Sequence, residues 1–578
     1  MKKTLMISCL LVGVAACWIL PPTTWCADLE DGIKAYENGD YDQAIQLIKQ
    51  YLQEKPRDEK AYYFLGRCYF KSGDPDQALE EYDQALQVKS NYWQAYQGKG
   101  EAYLQKGMLD EAGKAFQDGL GKKQRPELYN GLGLVQMAKG MLKDADFSFR
   151  KAISTDEKNA EYHKNLGDVN FQKGVLVIAM QEYQTALELD STLVEVYFNL
   201  AQAYLKQVRF NDAMEAFKTA IRVDPKNQEA YLKLGEIYML DGKHYGEARV
   251  IYEEYLKFGQ DNANAYKNLG ISYYYLSKML PSLAVGEGDT LTREGMAKRA
   301  AKYLEKSLEM NPDQPELYFR LGESYQFLKN YPEALAAYSQ YEGEMVKAGH
   351  EWTDKDAEYW VSKGQVQAEM GDSASLEGAI VSLSRAIELD STKTAAYSSL
   401  GKALYDQGAY ERAIPFFRKR IETDPENVSA NLNLAFCYLK LEKYRDAVEP
   451  LKKVVELKPD NASAQDLLAR VYLNLENFAL AKDHYLKVLQ LEPSKCDVQT
   501  NIGYCYMRMN DPGSAVPYFR KSVSCYPRDP SQLLNLAQAL ELSKNTDEAY
   551  EYYLKVLEID PHNKSAIDGR DRIDMQRY

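Results

Sequence analysis

Proline is scarce, at 20 residues in 578, and no long Gly/Ser or Gln/Asn tract interrupts the chain. Nothing therefore marks a flexible linker between separately folded parts. Histidine is rarer: His163, His244, His350, His484 and His562 are scattered, which gives no metal-ligand spacing. The phosphate-binding pattern G-x-x-x-x-G-K-[ST], the hydrolase elbow G-x-S-x-G, the zinc motif H-E-x-x-H and the dithiol C-x-x-C are all missing. Carboxylates are so common that pairing them discriminates nothing. These gaps point away from an enzyme, and no catalytic residue, cofactor or metal is assigned.

What is present is acidic and soluble in character. The formal charge is −14, which repels DNA, RNA and anionic lipid and argues against those partners. Charged residues make up 27% and apolar residues 45%, with Ala and Leu common, a composition that suits a helical protein. A chain of 578 residues exceeds one compact core unless it is built from repeats, which add length in one dimension.

The first residues, MKKTLMISCLLVGVAACWILPPTTWCADLEDG, have the layout of a bacterial secretory signal over residues 1–27. Lys2 and Lys3 form the positive end, Thr4 to Leu20 is uncharged and apolar, and Pro21 and Pro22 stop a helix. The apolar run is near the lower limit for a membrane span, so an uncleaved anchor is the weaker alternative. Two cleavage sites compete. Val14-Ala15-Ala16-Cys17 resembles a lipobox, which would make Cys17 a lipidated first residue; cleavage after Ala27 would start a soluble chain at Asp28. Trp25 is bulky for the second site, and Trp18, Ile19 and Leu20 are apolar for the first. Each buried methylene of an acyl chain contributes about 0.8 kcal/mol, so a multiply acylated Cys17 would hold to a membrane. Either way the reading is an exported protein, in the periplasm or on the periplasmic face of a bacterial membrane, touching the membrane only through such an anchor.

From Val194 the chain reads VEVYFNLAQAYLKQVRFNDAMEAFKTAIRVDPKN and then starts again with QEAYLKLGEIYML. The same opening recurs as YYFLGRCYF, YQGKGEAYL, YNGLGLVQM, HKNLGDVNF, YKNLGISYY, YFRLGESYQ, WVSKGQVQA, YSSLGKALY, NLNLAFCYL, QDLLARVYL, QTNIGYCYM and LLNLAQALE. A second pattern follows each, such as PDQALEEYDQAL, and many repeats close on Pro, as at Pro225, Pro425, Pro459 and Pro561. The pattern resembles the tetratricopeptide repeat, W-x₂-L-G-x₂-Y, then A-x₃-F, then P. About fifteen copies run over 28–562. The resemblance implies an all-α, right-handed superhelical solenoid of helix-turn-helix TPR units making about two superhelical turns.

The spacing has a mechanical reason. Two helices of about 13 residues, each ~20 Å long, fold back on one another. Gly66, Gly100, Gly133 or Ala201 stands where they cross, and Ala44, Ala78, Ala112 or Ala145 marks the second helix. One hairpin cannot bury both flanks, so neighbours cover them. Most tyrosines at pattern places are therefore core and not a sugar-stacking platform, and His163, at an aromatic lead place, is packing and not a ligand. Residues 563–578, KSAIDGRDRIDMQRY after Asn563, read as a capping helix with its charges in water and Ile567 and Ile573 on the last repeat.

The pattern breaks near 278–299 and near 341–356, with a short addition at 371–378. The first is expected to lengthen a turn inside a hairpin and the second a turn between hairpins; functional loops and tolerated insertions are both open. Cys496 opens a first helix and Cys525 ends the second helix of the same repeat, so the hairpin brings them together. A disulfide there would stabilise by roughly 3–4 kcal/mol; two unpaired thiols are the alternative. Cys68, Cys437 and Cys505 read as buried thiols.

Asn165, Asn199, Asn268, Asn433, Asn501 and Asn535 each precede the Leu-Gly, Leu-Ala or Ile-Gly step. In some tetratricopeptide arrays such a ladder faces the concave groove, where one amide can donate to and accept from an extended peptide backbone. The bland alternative is that Asn is common there. Phe198, Phe319, Tyr274, Tyr275, Phe436 and Tyr504 are further candidates for apolar groove contacts. The function expected is a protein–protein interaction scaffold in the bacterial cell envelope, holding a protein or peptide segment in the groove. An accessory role in exopolysaccharide or outer-membrane export is the alternative.

Overall fold

The computed structural model describes residues 28–240, 242–279 and 292–577. The two candidate cleavage sites, Cys17 and Ala27, lie outside the described residues. Two compact units are present, one ending at Asp261 and the other beginning at Asn262. Among the described residues every regular element is a helix, and no helix is long and apolar enough to cross a membrane.

The first unit contains seven hairpins. They are α1 (Leu29–Glu37) with α2 (Tyr41–Glu54), α3 (Glu59–Lys71) with α4 (Pro75–Val88), α5 (Trp93–Gln105) with α6 (Leu109–Lys122), and α7 (Pro126–Ala138) with α8 (Leu142–Thr155). Then come α9 (Ala160–Gln172) with α10 (Leu176–Leu189), α11 (Val194–Lys206) with α12 (Phe210–Val223), and α13 (Gln228–Leu240) with α14 (Tyr245–Tyr255).

The second unit contains eight more and a last single helix. Its hairpins are α15 (Ala263–Met279) with α16 (Arg293–Met310), α17 (Pro315–Phe327) with α18 (Tyr331–Lys347), α19 (Ala357–Met370) with α20 (Ser373–Leu389), and α21 (Thr394–Asp406) with α22 (Tyr410–Thr423). They continue with α23 (Val428–Lys440) and α24 (Tyr444–Leu457), α25 (Ala462–Asn474) and α26 (Phe478–Leu491), α27 (Cys496–Arg508) and α28 (Pro512–Cys525), and α29 (Pro530–Leu542) and α30 (Thr546–Ile559). The chain closes with α31 (Lys564–Arg577).

The hairpins are held by an aromatic plug. Tyr82 of α4 is fully buried, and a Cβ on Gly66 of its own hairpin or on Gly98 of the next would come within 2.6 and 2.4 Å of its ring. Phe116 fits between Gly100 and Gly131 in the same way, with a Cβ at Gly131 falling 2.3 Å from the ring. Gly98 and Gly131 sit at the step place that Asn takes elsewhere, two residues before the crossing glycine. The plug is the aromatic of A-x₃-F, and Ala78 or Ala112 one turn earlier is also fully buried. Of the expected core tyrosines, Tyr82, Tyr183, Tyr252, Tyr338, Tyr485 and Tyr553 all fill such places.

Helix ends are secured in two ways. Gly39, Gly73, Gly107, Gly140 and Gly174 take positive φ after the first helix, which glycine adopts without strain. In the hairpin of α11 and α12, Val208 takes that place at φ 59, a strained position for a β-branched residue. Lysines at the ends of first helices reach back to the preceding second helix, in the pairs Lys106–Asp76, Lys139–Asp110 at 2.6 Å and Lys173–Asp146 at 3.2 Å.

The two longer irregular stretches lie where expected, one inside the hairpin of α15 and α16 and one between α18 and α19, but they are not plain turns. Near 278–299, part of the extra length is helix: α15 and α16 have 17 and 18 residues, and 280–291 lie outside the described residues. Residues 371–378 form no loop. Asp372 caps Ser375, and the segment becomes the first turn of the 17-residue α20. Near 341–356 the added residues first extend α18 and then fold inward. Trp352 stacks on the buried Tyr359 at 5.5 Å and meets Trp360 edge-on at 5.2 Å. On α31, Ala566, Gly569 and Ile573 are buried and Ile567 is only half-buried. Arg572 returns to Glu541 at 2.9 Å, so not every charge of this helix faces water alone.

Cys496 and Cys525 are joined in a disulfide, with Cα atoms 6.2 Å apart across 29 residues. Cys68, Cys437 and Cys505 are free and buried. Burial pushes the Cys68 thiol up to about 12 and those of Cys437 and Cys505 up to about 11, so none is a ready nucleophile.

Gly131→Ala forces a methyl group into the Phe116 ring and is expected to destabilise by about 1–3 kcal/mol. Val208→Gly relieves the left-handed backbone and is expected to stabilise by about 1 kcal/mol; urea titrations of both variants read these changes. Reducing the disulfide is expected to cost roughly 3 kcal/mol locally. Hydrogen exchange should then accelerate in α27 and α28 and stay unchanged in the first unit.

Candidate partner-binding groove

Within each unit, first helices of successive hairpins touch along much of the stack, as α5 with α7 and α19 with α21, while second helices meet less. The first-helix side is therefore the inner face of each curve. Its polar residues follow a rule of register. The residue two places before the crossing glycine or alanine, here called the step residue, faces the residue just after that small residue in the preceding hairpin. Asn199 of α11 donates to Asp168 of α9 at 2.9 Å, and Ser399 of α21 accepts from Gln365 of α19 at 3.2 Å.

Other polar pairs between neighbouring first helices also cross-link the face. Gln326 of α17 accepts from Tyr338 at 2.7 Å and donates to Gln365 at 3.3 Å, which passes the chain on to Ser399. These three residues line a cavity of about 320 Å³. In the first unit Arg67 pairs with Glu101, which also accepts from Gln97 at 2.7 Å. Burial opposes the charge on Arg67, but Glu101 together with Tyr63, Tyr36 and Tyr82 outweighs this and holds the guanidinium above its ordinary value. Burial pushes the Asp168 carboxyl up, against the hydrogen bond it accepts from Tyr183 at 2.8 Å.

Family profiles described as Tetratricopeptide repeat match residues 35–84, 70–135, 126–159, 194–227, 291–350, 404–471, 462–495, 497–529 and 530–563. One described as TPR repeat matches 178–208 and 375–408. Together these stretches span more than half of the chain. The chain belongs to the tetratricopeptide repeat family.

No curated protein matches the chain. Among solved structures, YrrB, described as a TPR protein with an unusual peptide-binding site, is 24% identical, covering 32% of this chain and 95% of its own, with a TM-score of 0.27. MamA is 27% identical over 29% of this chain and 92% of its own, with a TM-score of 0.28. The pilF protein of Pseudomonas aeruginosa is 22% identical over 38% of this chain and 92% of its own, with a TM-score of 0.30. As a tetratricopeptide array, the chain is built as a protein–protein interaction scaffold. No cluster of metal-ligating side chains occurs among its described residues.

The array does not use its step asparagines uniformly. Asn165 is only 3% exposed and donates to Asn130 at 2.9 Å, so its amide is spent inside the fold and is not offered to a partner. The amide of Asn199 is committed to Asp168. Asn268 is half-buried on α15, beside a backbone carbonyl of its own that accepts from Ser272 at 2.7 Å. Asn433, Asn501 and Asn535 are half-buried, and among the described residues none has a hydrogen-bond partner for its side chain. Unlike Asn199, these three have Lys402, Arg470 and Tyr504 at the facing place in the preceding hairpin, none of them a carboxylate.

Several aromatic candidates prove to be packing. Phe198 meets the buried Phe217 edge-on at 5.3 Å. Phe319 sits among Tyr338, Tyr341 and Tyr359, with centroids 5.6–6.1 Å away. Tyr274 is 6% exposed and bonds Glu323 through its hydroxyl. Tyr275 and Phe436 are half-buried, and Tyr504 is exposed, with Arg508 donating to its hydroxyl at 2.9 Å. The Gln326–Gln365–Ser399 chain was not anticipated from sequence; a Gln after the crossing glycine in one repeat and a Ser before it in the next was the available signal.

Asn165→Leu is expected to lose about 1–2 kcal/mol, because it leaves the buried Asn130 carbonyl without its donor. Asn433→Ala should stay within about 0.5 kcal/mol of the parent. Equal losses in the two variants by chemical denaturation would contradict this assignment.

Proposed function

We propose that the chain is an exported scaffold of the bacterial cell envelope that holds an extended segment of a protein partner against its first-helix face. The observation that carries this reading is the set of uncommitted amides at Asn433, Asn501 and Asn535. They recur at one register place on successive first helices, with only the Leu467 hairpin between them. Each offers a donor and an acceptor, which suits a backbone irrespective of its side chains. The repeated rigid surface lowers the ordering cost of binding. Export is supported by the signal-like segment 1–27 and by a disulfide that fits an oxidising compartment. The reading assigns no catalysis to the array.

Crosslinking in the native envelope, followed by mass spectrometry, tests the proposal. A protein partner should be captured by the parent chain and its recovery reduced about tenfold by the triple variant Asn433→Ala, Asn501→Ala, Asn535→Ala, whose fold is retained. Capture that ignores the triple variant removes these residues from the site. Measuring the mass of the mature chain separates acylation at Cys17 from a start at Asp28.

A further inference from the structure

The first unit has a polar cavity of about 250 Å³ on its inner face, between α5, α7 and α9. Glu101, Glu127 and Glu161 line it, one from each helix, and no Lys or Arg is among its described lining residues. Arg67 and Arg125 reach the first two carboxylates from outside the cavity. Arg125 bonds only one oxygen of Glu127, at 3.2 Å. The other, Oε2, is buried with no partner among the described residues. Glu161 has no ion pair among the described residues.

Two more polar groups in the wall are uncommitted. Tyr162 is 5% exposed, and no described group bonds its hydroxyl. Asn130 is 8% exposed; its carbonyl accepts from Asn165, while its own amide N–H groups have no described partner. Burial, with Glu127 adding to it, pushes the Tyr162 phenol up to about 12, so it remains a neutral donor and acceptor at neutral pH.

Leaving the buried Oε2 of Glu127 unpaired costs free energy that a fitting ligand recovers. Two of the three carboxylates have an arginine outside the cavity, but Glu161 has none among the described residues and the Oε2 of Glu127 is unbonded, so the opening still favours a positive group, which makes the short, charge-assisted hydrogen bonds such groups form. The amide and phenol supply donors for carbonyl groups beside it. We propose that this cavity is a specificity pocket for a Lys or Arg side chain of the bound segment. This rests on the groove-binding reading above and adds the chemistry of one partner residue.

The test is a positional library of 11-residue, end-capped peptides, screened on the full-length chain with one position fixed at a time. Arg or Lys at one position should be enriched about tenfold over Gln. Enrichment should be lost in Glu127→Gln and in Glu161→Gln, and should weaken at 0.5 M salt. Circular dichroism checks the fold; Glu161 is exposed, so its variant keeps the test valid even where Glu127→Gln perturbs packing. Peptides that bind without basic preference, or with a preference that both variants retain, overturn the pocket and leave groove binding standing. The absence of peptide binding overturns both.

Discussion

The structure depends on one contact: an aromatic ring of a second helix pressed into a gap that glycine leaves in a first helix. Tyr82 and Phe116 each touch a glycine in their own hairpin and another in the next. Folding of a hairpin and its docking on a neighbour are thus closed by the same ring. A stack built this way gains stability by nearest-neighbour addition, without a single central core. At α31 the contact recurs in reduced form, where Gly569 accepts the ring of Tyr553 and ends the series with a lone helix. Where Leu304 and Leu383 replace the aromatic, the second helices are the long α16 and α20.

Because the plug lies within and between hairpins, the inner face of each unit is left free of core duty. Its polar residues are then decided by their neighbours one hairpin away. A step residue facing a matched group, as Asn199 faces Asp168, stiffens the stack. The same asparagine facing Lys402 or Arg470 keeps its amide available. The cavity of the first unit shows the opposite sign of specialisation, since carboxylates from three helices converge there while their arginines approach from outside.

The insertions illustrate how extra sequence is absorbed. Residues 371–378 became a capped helical turn because Asp372 can bind the backbone of Ser375. The segment near 341–356 is tied down by Trp352 on Tyr359, so aromatic packing fixes it. Neither outcome follows from the length of an insertion.

The sequence alone determined the helical hairpins, their order, the buried alanine and aromatic places and the nearness of Cys496 and Cys525. These follow from periodicity and from steric exclusion at the crossing, both local properties of a repeat. It did not determine which asparagines remain free, that Tyr274 and Phe319 turn into packing, or that Glu101, Glu127 and Glu161 share one cavity. Apart from the packing of Phe319 within its own hairpin, those outcomes depend on pairs of side chains from different hairpins, about one repeat apart in sequence. Only the stacking register brings such pairs within hydrogen-bond distance, and no single repeat encodes it.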